Sequence, residues 1–144
     1  MKEYIKIIFH KLNTEITAEL LTDLNPYLCE GFKKTLPNKS IQSHAVVAGD
    51  QLYCPYRLPV DSGKCNFEDM SKQPDGRINM ELDFQYLSIN YGKMVEAVPA
   101  AALAQVVEGD IPKLAGIGVA AWNNLLFEKD YILVEFLYIG SQRG

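Results

Sequence analysis

The stretch Ser43-His44-Ala45-Val46-Val47-Ala48-Gly49-Asp50 decides how this chain is read. Residues 41–48 are strand-like, Gly49-Asp50 suits a tight turn, and residues 51–57 resume a strand. One histidine stands in the apolar run. Period two sends His44 and its neighbour Ala45 to opposite faces of a sheet.

Working outward from this hairpin, the N-terminal side is well punctuated. Residues 4–9 and 14–20 read as strands, the second alternating with period two, and Lys11-Leu12-Asn13 suits the turn between them. Asn25 is a candidate helix cap and Pro26 fits the first helical position. Leu28, Phe32 and Leu36 make an apolar stripe, and Pro37 ends it. On the C-terminal side the pattern is lost over residues 58–79, where Pro59, Ser62-Gly63, Pro74 and Asp75-Gly76 interrupt a polar stretch. A loop of that length in a compact domain is usually functional or mobile. Residues 84–91 form the next strand, closed by Gly92. Residues 100–107 form another, with a short helix at 111–114 after it, and residues 131–139 form the last. Many short strands with two helices predict a mainly β chain, an antiparallel barrel capped by two short helices. No linker divides residues 1–144, so one domain is expected.

Composition narrows the partners. The 144 residues are 48% hydrophobic and 22% charged, as in a soluble globular domain. The net charge is −4 and the basic residues are scattered, so no nucleic-acid footprint is expected. No apolar run approaches the roughly 20 residues needed to cross a bilayer, and no signal-peptide core precedes the first strand. A cytoplasmic protein without membrane contact is the expectation. Cys29, Cys54 and Cys65 lack CxxC spacing, which argues against a disulfide framework or a zinc site. Asp61, Glu68, Asp69 and Asp75 match no calcium loop, and Gly116-Ile117-Gly118 lacks the context of a dinucleotide loop. Neither a metal nor a cofactor is predicted.

Three segments resemble the cyclophilins. Asn25-Pro26-Tyr27-Leu28-Cys29-Glu30-Gly31-Phe32 is similar to the start of their first helix. Ser43-His44-Ala45 through Gly49 stands where they have Phe-His-Arg and a glycine turn. Leu103-Ala104-Gln105-Val106-Val107-Glu108-Gly109 is similar to the stretch leading into their second helix. The likeness is closer to small bacterial and archaeal proteins of uncharacterised function with a cyclophilin-like fold. It is carried by Leu36-Pro37, His44, Ala48-Gly49-Asp50, Pro74-Asp75-Gly76-Arg77-Ile78, Tyr91-Gly92 and Trp122. The resemblance implies the barrel and argues against its best-known activity. The arginine that polarises the prolyl amide in cyclophilins is Ala45 here. Their pocket Phe, Met and Gln fall near Asp50, Gln51 and Tyr53, and their late pocket His falls near Ala100.

The remaining groove is expected to bind a small polar metabolite. In strand 84–91, Leu87, Ile89 and Tyr91 make one face, and Tyr86, Ser88 and Asn90 make the other. The resemblance places the second face at the substrate groove, where Ser43, Gln51 and Tyr53 would join it, with Trp122 as groove wall or core. His44 is either a buried structural imidazole or a general base. Asp50 and Glu96 are the acids that the alignment brings nearest, as an acid/base pair or as turn and surface residues. Cys54 reads as a structural thiol. The loop at 58–79 is expected to lie over Tyr53 and Tyr86, touching through Phe67 and Met70. An enzyme on that metabolite, a non-catalytic binding module and a residual prolyl isomerase all stay open, and a homo-oligomer is compatible with each. Opine synthases on a related fold offer a condensation precedent by fold analogy alone.

Overall fold

The computed structural model describes residues 1–142. Among these, β1 (Lys2–Phe9) and β2 (Thr14–Leu20) form the first hairpin, turned by Asn13 in the left-handed region. Helix α1 (Pro26–Lys33) follows, then β3 (Asn38–Ile41), β4 (Ser43–His44) and β5 (Gly49–Pro55). The second half holds β6 (Phe67–Asp69), β7 (Arg77–Glu81), β8 (Tyr86–Met94), β9 (Pro99–Val106), α2 (Leu114–Asn123) and β10 (Leu133–Gln142).

One antiparallel sheet runs β3-β10-β1-β2-β9-β7-β8-β5-β4, with β6 added on β9. Its two ends are one continuous segment. Residues 38–41 pair with β10 and residues 43–44 pair with β5. Between them, Gln42 donates its backbone N–H to Ile132 O at 2.8 Å and its side-chain amide to Tyr53 O at 2.8 Å. The sheet therefore rolls into a barrel, which removes its free edges. Ile5, Ile7, Phe9, Ile16, Leu52, Ile78, Leu87, Ile89, Leu103 and Phe136 fill the interior. Helix α1 closes one side of that core with Leu28 and Phe32, and α2 contributes Leu114, Ile117 and Ala121.

Several boundaries differ from the sequence reading for identifiable reasons. The Asn25 side chain does not cap α1. It is buried, donates to Ala102 O and Asn66 O, and accepts from Asn66 N–H, so it ties the 58–79 segment to the barrel. Gly49-Asp50 does not form the turn, because β5 already begins at Gly49, whose φ is 128°. Gly92 does not end its strand: β8 runs on to Met94, and a Cβ at Gly92 would overlap the Asp50 carboxylate. The helix at 111–114 is the end of a 3₁₀ stretch from which the ten-residue α2 starts. The segment 58–79 carries regular structure, including β6 and two short 3₁₀ turns capped by the side chains of Asp61 and Asp69.

Candidate functional site

Residues opposite one another in antiparallel strands share a face. Ser43 faces Tyr53, Tyr53 faces Ser88, and Ser88 faces Asn79. In the adjacent rows Gln51 faces Asn90, and Tyr86 stands between Pro55 and Glu81. The outer wall of β4, β5, β8 and β7 thus brings together Ser43, Gln51, Tyr53, Tyr86, Ser88 and Asn90, with Glu81 among them.

The two ends of this wall differ. At one end the 58–79 segment covers it. Gln51 donates to Asn90 Oδ1 at 3.0 Å and to the Met70 sulfur at 3.4 Å, and Asn90 donates to Gln73 Oε1 at 2.9 Å. Gln73 and Asn79 exchange a reciprocal pair of amide hydrogen bonds at 2.9 and 2.7 Å. Gln51, Asn90 and Asn79 are buried, so these amides satisfy one another rather than a ligand. Met70 covers the wall as expected of this segment, over Gln51 rather than over Tyr86.

At the other end the wall opens into a cavity of about 530 Å³. Phe67, Met80, Leu82, Phe84, Val98 and Pro99 supply its apolar lining, and Glu81, Asp83 and Glu96 supply three carboxyl groups. Among the described residues no Lys, Arg or His lines it. Phe84 is 68% exposed and stacks on Tyr86 at 5.9 Å between ring centroids, and Tyr86 lies 4.7 Å from Tyr53. Of this aromatic run, Phe84 lines the cavity, and Tyr86 and Tyr53 continue from it along the wall. Burial pushes the Glu81 carboxyl above the ordinary glutamate range. The Ser88 hydroxyl opposes that rise and the charge of Glu96 adds to it. Ser88 influences Glu81 without closing a hydrogen bond: its Oγ is fully buried and has no partner among the described residues.

His44, Asp50 and Trp122 lie elsewhere. His44 is opposite Leu52, and Leu52 is in the barrel core. The imidazole therefore points to the face opposite Ser43, beside a shallower cavity of about 350 Å³ lined by Tyr91, Trp122 and exposed valines. Its Nδ1 is 2.7 Å from Ala45 O, a pure acceptor, so Nδ1 carries the proton. Its Nε2 lies 2.5 Å from the Tyr91 hydroxyl, which can donate to it. Burial, helped by the charge of Asp50, pushes the Tyr91 phenol up and keeps it a donor. Trp122 packs edge-on against His44 at 4.9 Å. Asp50 accepts from Lys93 N–H at 3.2 Å. Of the three acid/base candidates, Glu96 alone lines the Glu81 cavity. Burial pushes the Cys29 and Cys54 thiols up to about 12, and burial and the charge of Asp61 raise the partly exposed Cys65 thiol.

Glu81, Asp83 and Phe84 were missed by the sequence reading, which began the strand at Phe84. The signal was present in Arg77-Ile78-Asn79-Met80-Glu81, a five-residue alternation hidden behind the turn signals at Pro74 and Gly76.

No family model matches the chain, and no curated protein sequence is similar to it. Solved structures are similar. The structure of a cyclophilin-type peptidyl-prolyl cis-trans isomerase from Cryptosporidium parvum superposes with a TM-score of 0.59 at 11% identity, over 99% of this chain and 100% of that one. A hypothetical protein from Archaeoglobus fulgidus gives 0.64 at 17% identity, over 94% of each chain. The fold is cyclophilin-like. McbB, solved in complex with tryptophan, gives a TM-score of 0.82 at 31% identity over 97% of this chain. The match covers 46% of McbB, so this chain spans less than half the length of that protein. No helix among the described residues is long and apolar enough to cross a membrane.

Proposed function

We propose that this chain binds a small molecule with an aromatic body and an ammonium group in the Glu81 cavity, and exchanges a proton with it through Glu81. The lining carries the reading. Three carboxyl groups without a cation among them favour a positively charged ligand. Phe67, Phe84 and the methionine and valine side chains offer the apolar surface a ring needs. A carboxyl lifted above its usual range is moved toward neutral pH, where it gives and takes protons efficiently. The tryptophan complex of McbB supports the same ligand chemistry, since tryptophan is an aromatic ring bearing an ammonium.

Calorimetric titration with tryptamine, L-tryptophan and indole-3-propionate tests this. Tryptamine and tryptophan should bind, their order separating an amine from an amino acid as the ligand class. Indole-3-propionate, which has a carboxylate and no amine, should not. Glu81→Gln should weaken tryptamine by about tenfold, the usual worth of a hydrogen bond to a charged group. Equal binding of all three, or of none, sinks the reading.

The lack of proline isomerisation is a second part of this proposal, and Ala45 supports it. Ala45 has no side-chain donor, and its N–H is committed to Gln51 O at 2.9 Å. Loss of such a donor costs about 3–4 kcal/mol in the transition state. Catalysis in a prolyl-peptide assay should stay near background.

A further inference from the structure

Among the described residues, the Ser88 hydroxyl is a group on the outer wall that the fold buries without a hydrogen-bond partner; Arg77 Nε, buried on the same face, at least has the Glu68 carboxylate at 3.1 Å. It is fully buried, while Asn79, Asn90 and Gln51 around it all have partners. Burying an idle hydroxyl is unfavourable, and native structures seldom retain one without a use. The strand register shows where it can turn. Ser88 faces Asn79 and Tyr86 faces Glu81, so Ser88 and Glu81 are diagonal neighbours on the same face, within reach for a side chain as long as glutamate's.

We propose that Ser88 is the positioning residue of the cavity: its hydroxyl donates to the ionised Glu81 carboxylate and fixes the oxygen that faces the ligand. This rests on the ligand-binding reading of the Glu81 cavity. When Glu81 is protonated its hydroxyl competes for the same contact, and Ser88 can turn from donor to acceptor. The pair therefore has a partner in both protonation states. The direction in which Ser88 pulls on the Glu81 titration agrees with a donor. The other titratable groups facing Glu81 are Asp83 from the turn, Glu96 from the segment after β8 and Tyr86 across the strand pair. Ionised Asp83 and Glu96 cannot donate, and the Tyr86 phenol, although directly across from Glu81, makes no hydrogen bond to it among the described residues.

The experiment is a carboxyl carbon NMR titration of Glu81 in the full chain, with the signal assigned by Glu81→Gln. It compares wild type with Ser88→Ala, Ser88→Cys and Ser88→Thr. Ala and Cys remove the strong donor and should move the Glu81 midpoint to higher pH. Thr restores the hydroxyl and should return it toward wild type. Tryptamine affinity at neutral pH should fall by about tenfold in Ala and recover in Thr. A Glu81 midpoint unmoved in Ala and Cys overturns the proposal, as does a shift that Thr fails to reverse. If Ser88→Ala does not fold, Ser88→Cys, nearer in volume, decides alone. Failure of tryptamine to bind wild type would count against the ligand reading, and the NMR midpoints would still decide the role of Ser88.

Discussion

Two polar clusters flank the same strands, and their bookkeeping of hydrogen bonds is opposite. Around His44 every ring nitrogen is engaged: one on a backbone carbonyl, one on Tyr91, with Trp122 against the ring. Around Glu81 a carboxyl is lifted by burial, the Ser88 hydroxyl only partly opposes that rise, and a second carboxylate adds to it. The first pattern is how a fold secures a buried imidazole. The second leaves a buried carboxyl without a cation beside it, which a positively charged ligand can supply. Residue type alone would have pointed the other way, toward the histidine.

The largest expected effect tests the structural half of this contrast. A Cβ at Gly118 would overlap the Tyr91 ring, so Gly118→Ala must push Tyr91 off His44. Overpacking and the lost hydrogen bond outweigh the better helix propensity of alanine, for a net loss of about 3 kcal/mol. Denaturant unfolding checks this, and a variant as stable as wild type would show that the contact is not tight. His44→Ala comes next. It leaves the Tyr91 hydroxyl without its acceptor and should cost about 2 kcal/mol while tryptamine binding is unchanged. The reverse result, with stability intact and binding abolished, would make His44 the active residue and break the comparison.

The contrast also shows what the sequence could reveal. The barrel was legible because its signals are local and agree with one another. Asn13, Pro26 and the alternation of residues 14–20 and 86–90 each mark an element that the structure contains. The polar wall was legible too, since period two alone places Tyr86, Ser88 and Asn90 together. What could not be read was which part of that wall is covered. Gln51 and Asn90 look like ligand-binding amides until Met70 and Gln73 are placed on them, and those come from the segment with the weakest pattern. Glu81 was hidden for the same reason. Its value depends on burial by Phe84, Phe67 and Val98 and on the approach of Glu96 from fifteen residues away in sequence, none of which spacing encodes.

The smallest effect is the most specific to the Glu81 half. Because burial raises the Glu81 carboxyl in the folded chain, the native state holds its proton at pH values where the unfolded chain has released it. The unfolded state then binds fewer protons, and stability falls as pH rises. The decline begins near the ordinary glutamate value, about 4.3, and ends once pH exceeds the raised folded value. Below that window Glu81 is protonated in both states and contributes nothing. Glu81→Gln removes the titration, so its stability should match wild type at about pH 4 and exceed it at about pH 8. Paired unfolding curves at the two ends of the window read the difference directly. A variant that loses stability at the higher pH would mean that hydrogen bonding in the folded chain more than offsets the cost of burying the carboxylate. Glu81 would then resemble His44, and the cavity would lose its claim to be the active one.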